Sequence, residues 1–264
     1  MNGMLLAAWQ FRHFIRSSII NEFRSRFIRS RLGGLWGIIH PLMQVAIFAF
    51  ILSHVLASKL PGIDNPYAYA IYLMAGTLAW NLFAEVVQRS LTLFIDNGNL
   101  LKKIAFPRIT LPIIVVGGVM LSNVLLLLAI LLIFLLLGHM PGIQVLWLPV
   151  LMLVTLGLGL GLGLVLGVLN VFLRDIAQIV PIVLQFLYWF TPIVYMSSII
   201  PEQYRDWLKF NPMYVVVDAY HQVLVFNQMP NMAGILVVAA LASALLLGAM
   251  VLFRKAGAEM VDML

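Results

Sequence analysis

Six apolar stretches constrain this chain more than any other feature of it: positions 35–56, 67–87, 111–137, 145–173, 179–200 and 232–253. Each has about the 20 residues that a helix rising ~1.5 Å per residue needs to cross a hydrocarbon layer ~30 Å thick. A backbone N–H or C=O finds no water there, so each stretch must close its hydrogen bonds within itself, as a helix does. The composition agrees, with 63% hydrophobic and 10% charged residues against about 25% charged in a soluble domain. The expected fold is an all-α integral membrane protein of six transmembrane helices. The N-terminus lacks the short apolar core and small-residue cleavage site of a secretory signal. With no cysteine, disulfide and zinc–thiolate chemistry are excluded. The formal charge of +6 is spread among membrane loops, which points to anionic lipid at the cytoplasmic face and not to nucleic acid.

The loop at 96–112 is the one substantial polar, basic interruption in the middle of the chain. Asn97-Gly98-Asn99 is turn chemistry, and Asn99 is placed to N-cap a short helix over 100–105 that Pro107 would stop. Six spans put both ends on one side. That side carries twelve Lys and Arg, including Lys102, Lys103 and Arg108 of the loop, and the other side carries three. Both termini are therefore expected in the cytoplasm. Positions 1–34 form a first unit, in which Phe11, Ile15, Ile19, Phe23 and Phe27 recur every four residues, the stripe of a helix lying at the interface. Arg12 and Arg26 fall close to that stripe, where long arginines can snorkel to the headgroups.

Within the fourth stretch Gly157, Gly159, Gly161, Gly163 and Gly167 form a groove for close helix packing, inside the chain or against another subunit. Glu85 and Arg89 are spaced to pair on one helix face. Arg174-Asp175 marks the end of the fourth span and is placed to cap the following turn, and His40 and His54 read as structural. The segment 186–226 carries eleven of the chain's thirty aromatics and three prolines, Pro192, Pro201 and Pro212. Two short re-entrant helices at 201–231, dipping into the outer leaflet before the last span, fit that pattern, since irregular backbone at membrane depth must be buried in protein or line a cavity. Tyr and Trp give flat apolar faces with polar tips, suited to sugar rings.

No phosphate-binding G-x-x-x-x-G-K-[ST] loop, H-E-x-x-H or G-x-S-x-G is present. Energy for uphill transport would have to come from another chain. A self-contained channel would need a charged or carbonyl-rich filter loop, and a membrane enzyme a nucleophile with its base; neither pattern occurs.

An ordered set of short motifs resembles the membrane subunits of ABC-2 type polysaccharide exporters. It comprises Glu22-Phe-Arg-Ser-Arg-Phe, Ser30-x-Leu32-Gly33-x-Leu35-Trp36, Pro41, Asn99-Leu100, Lys103, Phe106-Pro107-Arg108, Pro112, Arg174-Asp175, Pro192, Pro201 and Asn211-Pro212-Met213. Phe27 stands where that family often has Tyr, and Tyr220-His221 where Arg is common. The resemblance implies a transport subunit, not an enzyme, with an amphipathic gate helix at 1–34 and a six-helix transmembrane domain at 35–264. It further implies a homodimer bound to two copies of a separate ATPase, with ATP and Mg on that partner and no cofactor in this chain. The setting would be a bacterial inner membrane, and the cargo a lipid-linked O-antigen-type polysaccharide. Asn99, Leu100, Lys102, Lys103, Phe106 and Arg108 would couple to the ATPase. Phe23, Arg24, Arg26, Phe27 and Arg29 would form the gate, and Trp80, Phe83, Phe186, Tyr188, Trp189 and Tyr195 would line the pore. Capsule or teichoic-acid export, and drug or lipid export by the same fold, are the alternatives within the class.

Overall fold

The computed structural model describes residues 9–28, 33–51, 67–103, 109–208 and 210–263. The helices in order are α1 (Arg12–Ile28), α2 (Trp36–Phe50), α3 (Ala68–Asp96), α4 (Gly98–Lys103), α5 (Thr110–Leu136), α6 (Leu148–Phe172), α7 (Ile176–Phe190), α8 (Glu202–Leu208), α9 (Pro212–Leu224) and α10 (Met232–Met263). Short 3-10 turns lead into α2, α6 and α8, and among the described residues there is no strand. The alternating Gly-Leu run of the fourth stretch is helical, as the lipid argument requires.

Four stretches are long and apolar enough to cross a bilayer: Ala68–Asp96, Thr110–Leu136, Ile143–Phe172 and Met232–Gly257. The other two predicted spans differ. Helices α2 and α7 have 15 residues each, about 22 Å of rise. For α2, positions 52–56 of the predicted span lie outside the described residues. For α7 the sequence itself sets the end. Thr191 precedes Pro192 and takes an extended conformation, with ψ 129°, because a residue before proline is pushed out of the helical region. The fifth predicted span, 179–200, is therefore a helix followed by turns, and Pro192 lies just beyond the helix instead of inside it.

The α6 glycines position everything else, and they do so within the chain. Gly159, Gly163 and Gly167 face α3, while Gly157 and Gly161 face α10. A Cβ on Gly163 would stand 2.7 Å from Ser90 Cβ and 3.0 Å from the Val87 carbonyl, and one on Gly161 would stand 2.8 Å from Leu245 Cβ. Small residues let backbones approach to this distance, the main source of helix association where lipid is as apolar as leucine. Pinned by α6, α3 is the most enclosed helix, with Leu73, Ala75, Leu78, Ala79, Leu82, Val86 and Val87 fully buried. Helix α5 buries one stripe (Leu111, Val115, Val119, Leu126, Ile130, Phe134) and exposes Leu128, Leu132, Leu135 and Leu136 on the other side, an apolar outer face suited to lipid.

The predicted outer segment does divide into two short helices, α8 and α9. Asn211 caps α9 by accepting the Met213 N–H at 3.0 Å, with Pro212 in the first turn. Helix α9 packs on α3, α6 and α10 and buries Met213, Val216, Val217, Tyr220, His221 and Leu224. The His221 ring stacks on Tyr72 at 3.6 Å and its Nε2 lies 3.1 Å from the Tyr72 carbonyl. The non-helical backbone after α7 is satisfied by α3: Tyr69 donates to the Val194 carbonyl, and Tyr72 Oη lies 3.3 Å from the carbonyls of Pro192 and Tyr195.

Replacing Gly163 with Leu is expected to cost about 1–3 kcal/mol by overpacking, read as a lowered unfolding temperature in detergent. Gly157→Ala, whose Cβ would meet Ala242 Cβ at an ordinary 3.6 Å, is expected to leave that temperature close to wild type.

Candidate substrate path and coupling surface

Helices α2, α3, α5 and α7 enclose a cavity of about 660 Å³. It runs along α3 from Thr77 to Gln88, about 16 Å at helical rise, and its two ends differ in chemistry. Toward α4 the wall is polar: Gln88, Glu85, His40 and Trp36. Toward α9 it is aromatic, and the rings form one contiguous edge-to-face series. Trp80 meets Tyr188 at 5.5 Å, Tyr188 meets Trp189 at 5.7 Å, and Trp189 meets Phe48 at 6.2 Å between centroids. Edge-to-face contact places the positive edge of one ring on the negative face of the next, which fixes ring orientation.

Amides line the length between: Gln44, Asn81, Asn123 and Gln185. Three polar atoms on this wall are buried and have no protein hydrogen-bond partner, namely Asn81 Nδ2, Asn123 Oδ1 and Tyr188 Oη. Pro41 has no N–H to give the Gly37 carbonyl one turn earlier, and Gly37 and Pro41 both line the cavity.

The predicted pore residues divide. Trp80, Tyr188 and Trp189 come together on the cavity wall. Phe83 does not: it is buried in the core behind Trp80, with ring centroids 5.7 Å apart. Phe186 points away from the cavity on the exposed face of α7. Tyr195 lines a second cavity of about 450 Å³ with Phe190, Ile200, Trp207 and Leu208; Trp189 borders both. The sequence reading named Trp36 only within a family motif and missed Gln44, Gln88 and Gln185, because single amides in apolar helices carry no motif. His40, read as structural, stands on the cavity wall.

The regions predicted as gate and coupling surface meet at Arg89. The predicted Glu85–Arg89 pair is present at 3.6 Å, but Arg89 also makes an ion pair with Glu22 of α1. Helix α1 packs on α5 where Gly117 and Gly118 remove the side chains from two successive positions. Ile19 lies over Gly117, and Arg89 and Glu22 lie over Gly118. This Gly-Gly step was the available signal for α1 docking. A further cavity of about 320 Å³ is bounded by Glu22, Arg89, Asn97 and Leu100, so the gate helix and α4 share one hollow. Of the other gate residues, Arg24 is exposed. Arg29 lies outside the described residues, and for Phe23, Arg26 and Phe27 the structure describes the backbone.

Helix α4 begins two residues earlier than predicted, at Gly98. Asn97, not Asn99, heads it: its carbonyl accepts from the Leu100 and Leu101 amides, while its side chain donates to the Leu93 carbonyl at 2.8 Å and closes the end of α3. Asn97 thus serves two helices, and Asn99 falls inside the first turn of α4. Asn99 and Lys102 are exposed and Leu100 is half-buried. For Lys103 the structure describes the backbone, and Phe106, Pro107 and Arg108 lie outside the described residues. The turn after α6 is also capped differently from expectation. Asn170 Oδ1, and not Asp175, accepts the Ala177 N–H at 3.1 Å, and Asn170 Nδ2 donates to the Leu91 carbonyl of α3.

The ABC-2 type transporter family model matches residues 13–225. The chain belongs to the ABC-2 type transporter membrane family. It is similar to an O-antigen export system permease protein RfbA of Myxococcus xanthus, 27% identical over 256 residues covering 96% of each chain. It is also similar to a protein of the same name from Klebsiella pneumoniae, 27% identical over 193 residues covering 73% of this chain and 72% of that one. A polysialic acid transport protein KpsM of Escherichia coli is 24% identical over 209 residues, covering 77% of this chain and 78% of its own.

Glu22→Gln and Arg89→Gln are each expected to loosen α1, and the double variant to be little worse than either. A coupling of about 0.5–3 kcal/mol should appear in a double-mutant cycle of unfolding in detergent; strictly additive losses would contradict the contact.

Proposed function

We propose that this chain is the membrane subunit of an ATP-driven exporter of lipid-linked polysaccharide of the O-antigen type. The observation that carries the reading is the cavity of the family's membrane domain. It joins an unbroken aromatic wall to a row of amides, a pairing that suits a chain of sugar rings and hydroxyls. Near-full-length similarity to proteins named for O-antigen export supports it.

In this reading two copies of the chain face each other in a bacterial inner membrane, with both termini in the cytoplasm, and each binds one separate ATPase that holds ATP and Mg. Helix α4, with exposed Lys102, docks on that ATPase. Its motion passes through Asn97 to α3 and through Arg89 and Glu22 to α1, which opens the entrance for the lipid-linked end of the polymer. The sugar chain then advances along the α3 wall, and α8 and α9, as re-entrant helices, frame the exit.

Deleting the gene is expected to remove polymer from the cell surface and to accumulate lipid-linked polymer inside, read by surface-glycan gels and lipid extraction. An unchanged surface glycan would redirect the reading to drug or lipid export. Charge reversal at Lys102 and Lys103 should reduce co-purification of the ATPase by about tenfold, a loss of roughly 1.4 kcal/mol, with the spans still folded. Unchanged co-purification would remove α4 from the coupling role.

A further inference from the structure

The cavity wall has a definite charge character. Among the described residues that line it there is no Lys or Arg, and its one ionisable carboxylate is Glu85. Arg89, which follows the wall residue Gln88 in sequence, is held between Glu22 and Glu85. Trp36, Trp80, Tyr188 and Trp189 add aromatic rings, whose faces carry negative quadrupole and attract cations while repelling anions. The accessible amides of Gln44, Gln88 and Gln185 each present both a donor and an acceptor on this wall. A sugar hydroxyl satisfies both kinds at once. A sugar carboxylate accepts only, leaves the amide oxygens unmet, and has to shed water beside Glu85 with no Lys or Arg among the described wall residues to receive it.

Resting on the reading of this cavity as the glycan path, we propose that it is selective by charge: it accepts uncharged polysaccharide and excludes polyanionic polymer. The penalty repeats at every acidic residue that passes, so even a modest cost per residue discriminates strongly over a chain. Gln185 is the position where the selectivity is most readily changed. It is exposed on α7, one turn from Trp189, and lines the cavity, so a cation placed there would face the passing polymer without disturbing the core.

The test uses the full-length chain in lipid nanodiscs, with Trp36, Trp80 and Trp189 as reporters of occupancy. Tryptophan emission is titrated with dextran oligomers and with sialic acid oligomers of equal length. Dextran is expected to change the emission and to be bound about tenfold or more tightly than the acidic oligomer. Gln185→Lys is expected to bring the acidic oligomer to within about threefold of dextran, with the emission spectrum of the unliganded protein unchanged. Equal binding of both oligomers by the wild-type chain would overturn the charge selectivity and leave the glycan path standing. A Gln185→Lys protein that still ignores the acidic oligomer would overturn its electrostatic cause. If neither oligomer binds, the path reading fails and the selectivity with it.

Discussion

The close approach of α6 to its two neighbours is the contact on which the rest of the molecule depends. Helices in lipid gain nothing by hiding apolar surface from one another, so they associate through backbone proximity and polar side chains. The glycines of α6 supply the first on two faces, toward α3 and toward α10. With one side of α3 fixed in this way, its other side is left to carry Thr77, Trp80, Asn81, Glu85 and Gln88 into the cavity. The functional wall is thus the back of the structural contact. A side chain added in the α6 groove would displace the aromatic series as well as the packing.

Polar side chains do the second part of the work, and they concentrate where helices break. Asn170, Asn97 and Asn211 each close a helix end while bonding to a second element. Tyr69 and Tyr72 take the carbonyls released by the turns after α7. Backbone groups without water must be met by protein, and Tyr69 and Tyr72 meet the carbonyls of Pro192, Val194 and Tyr195 in the turns that follow the end of the 15-residue α7 at Phe190. Arg89 extends the same logic to the opposite end of α3. Its two carboxylate partners lie on α1 and on α3 itself, so the position of α1 is tied to the helix that leads into α4.

Much of this was legible in the sequence, and what was not has a physical reason. Apolar run length located the four long helices, because lipid leaves the backbone one solution there. Proline spacing and aromatic density located α8 and α9. The glycine groove was legible as a groove, but its partners were not, since small-residue spacing marks a contact without naming what lies across it. Of the predicted pore residues, Trp80, Tyr188 and Trp189 stand on the cavity wall, whereas Phe83 is buried in the core and Phe186 lies on the exposed face of α7. Aromatic density records depth in the membrane, and the face that a ring takes is set by tertiary packing. The amides of the cavity and the Glu22–Arg89 pair join residues far apart in sequence and show no local period. They could be found only once α2, α3, α5 and α7 stood together.

The account turns on whether polymer passes along the α3–α7 wall, and cross-linking during export reads that directly. A photoreactive amino acid at Gln185, activated in cells that are exporting glycan, should attach polysaccharide to this chain, and the adduct should disappear when the partner ATPase cannot hydrolyse ATP. Adducts with phospholipid alone, at the same position and in the same exporting cells, would contradict it.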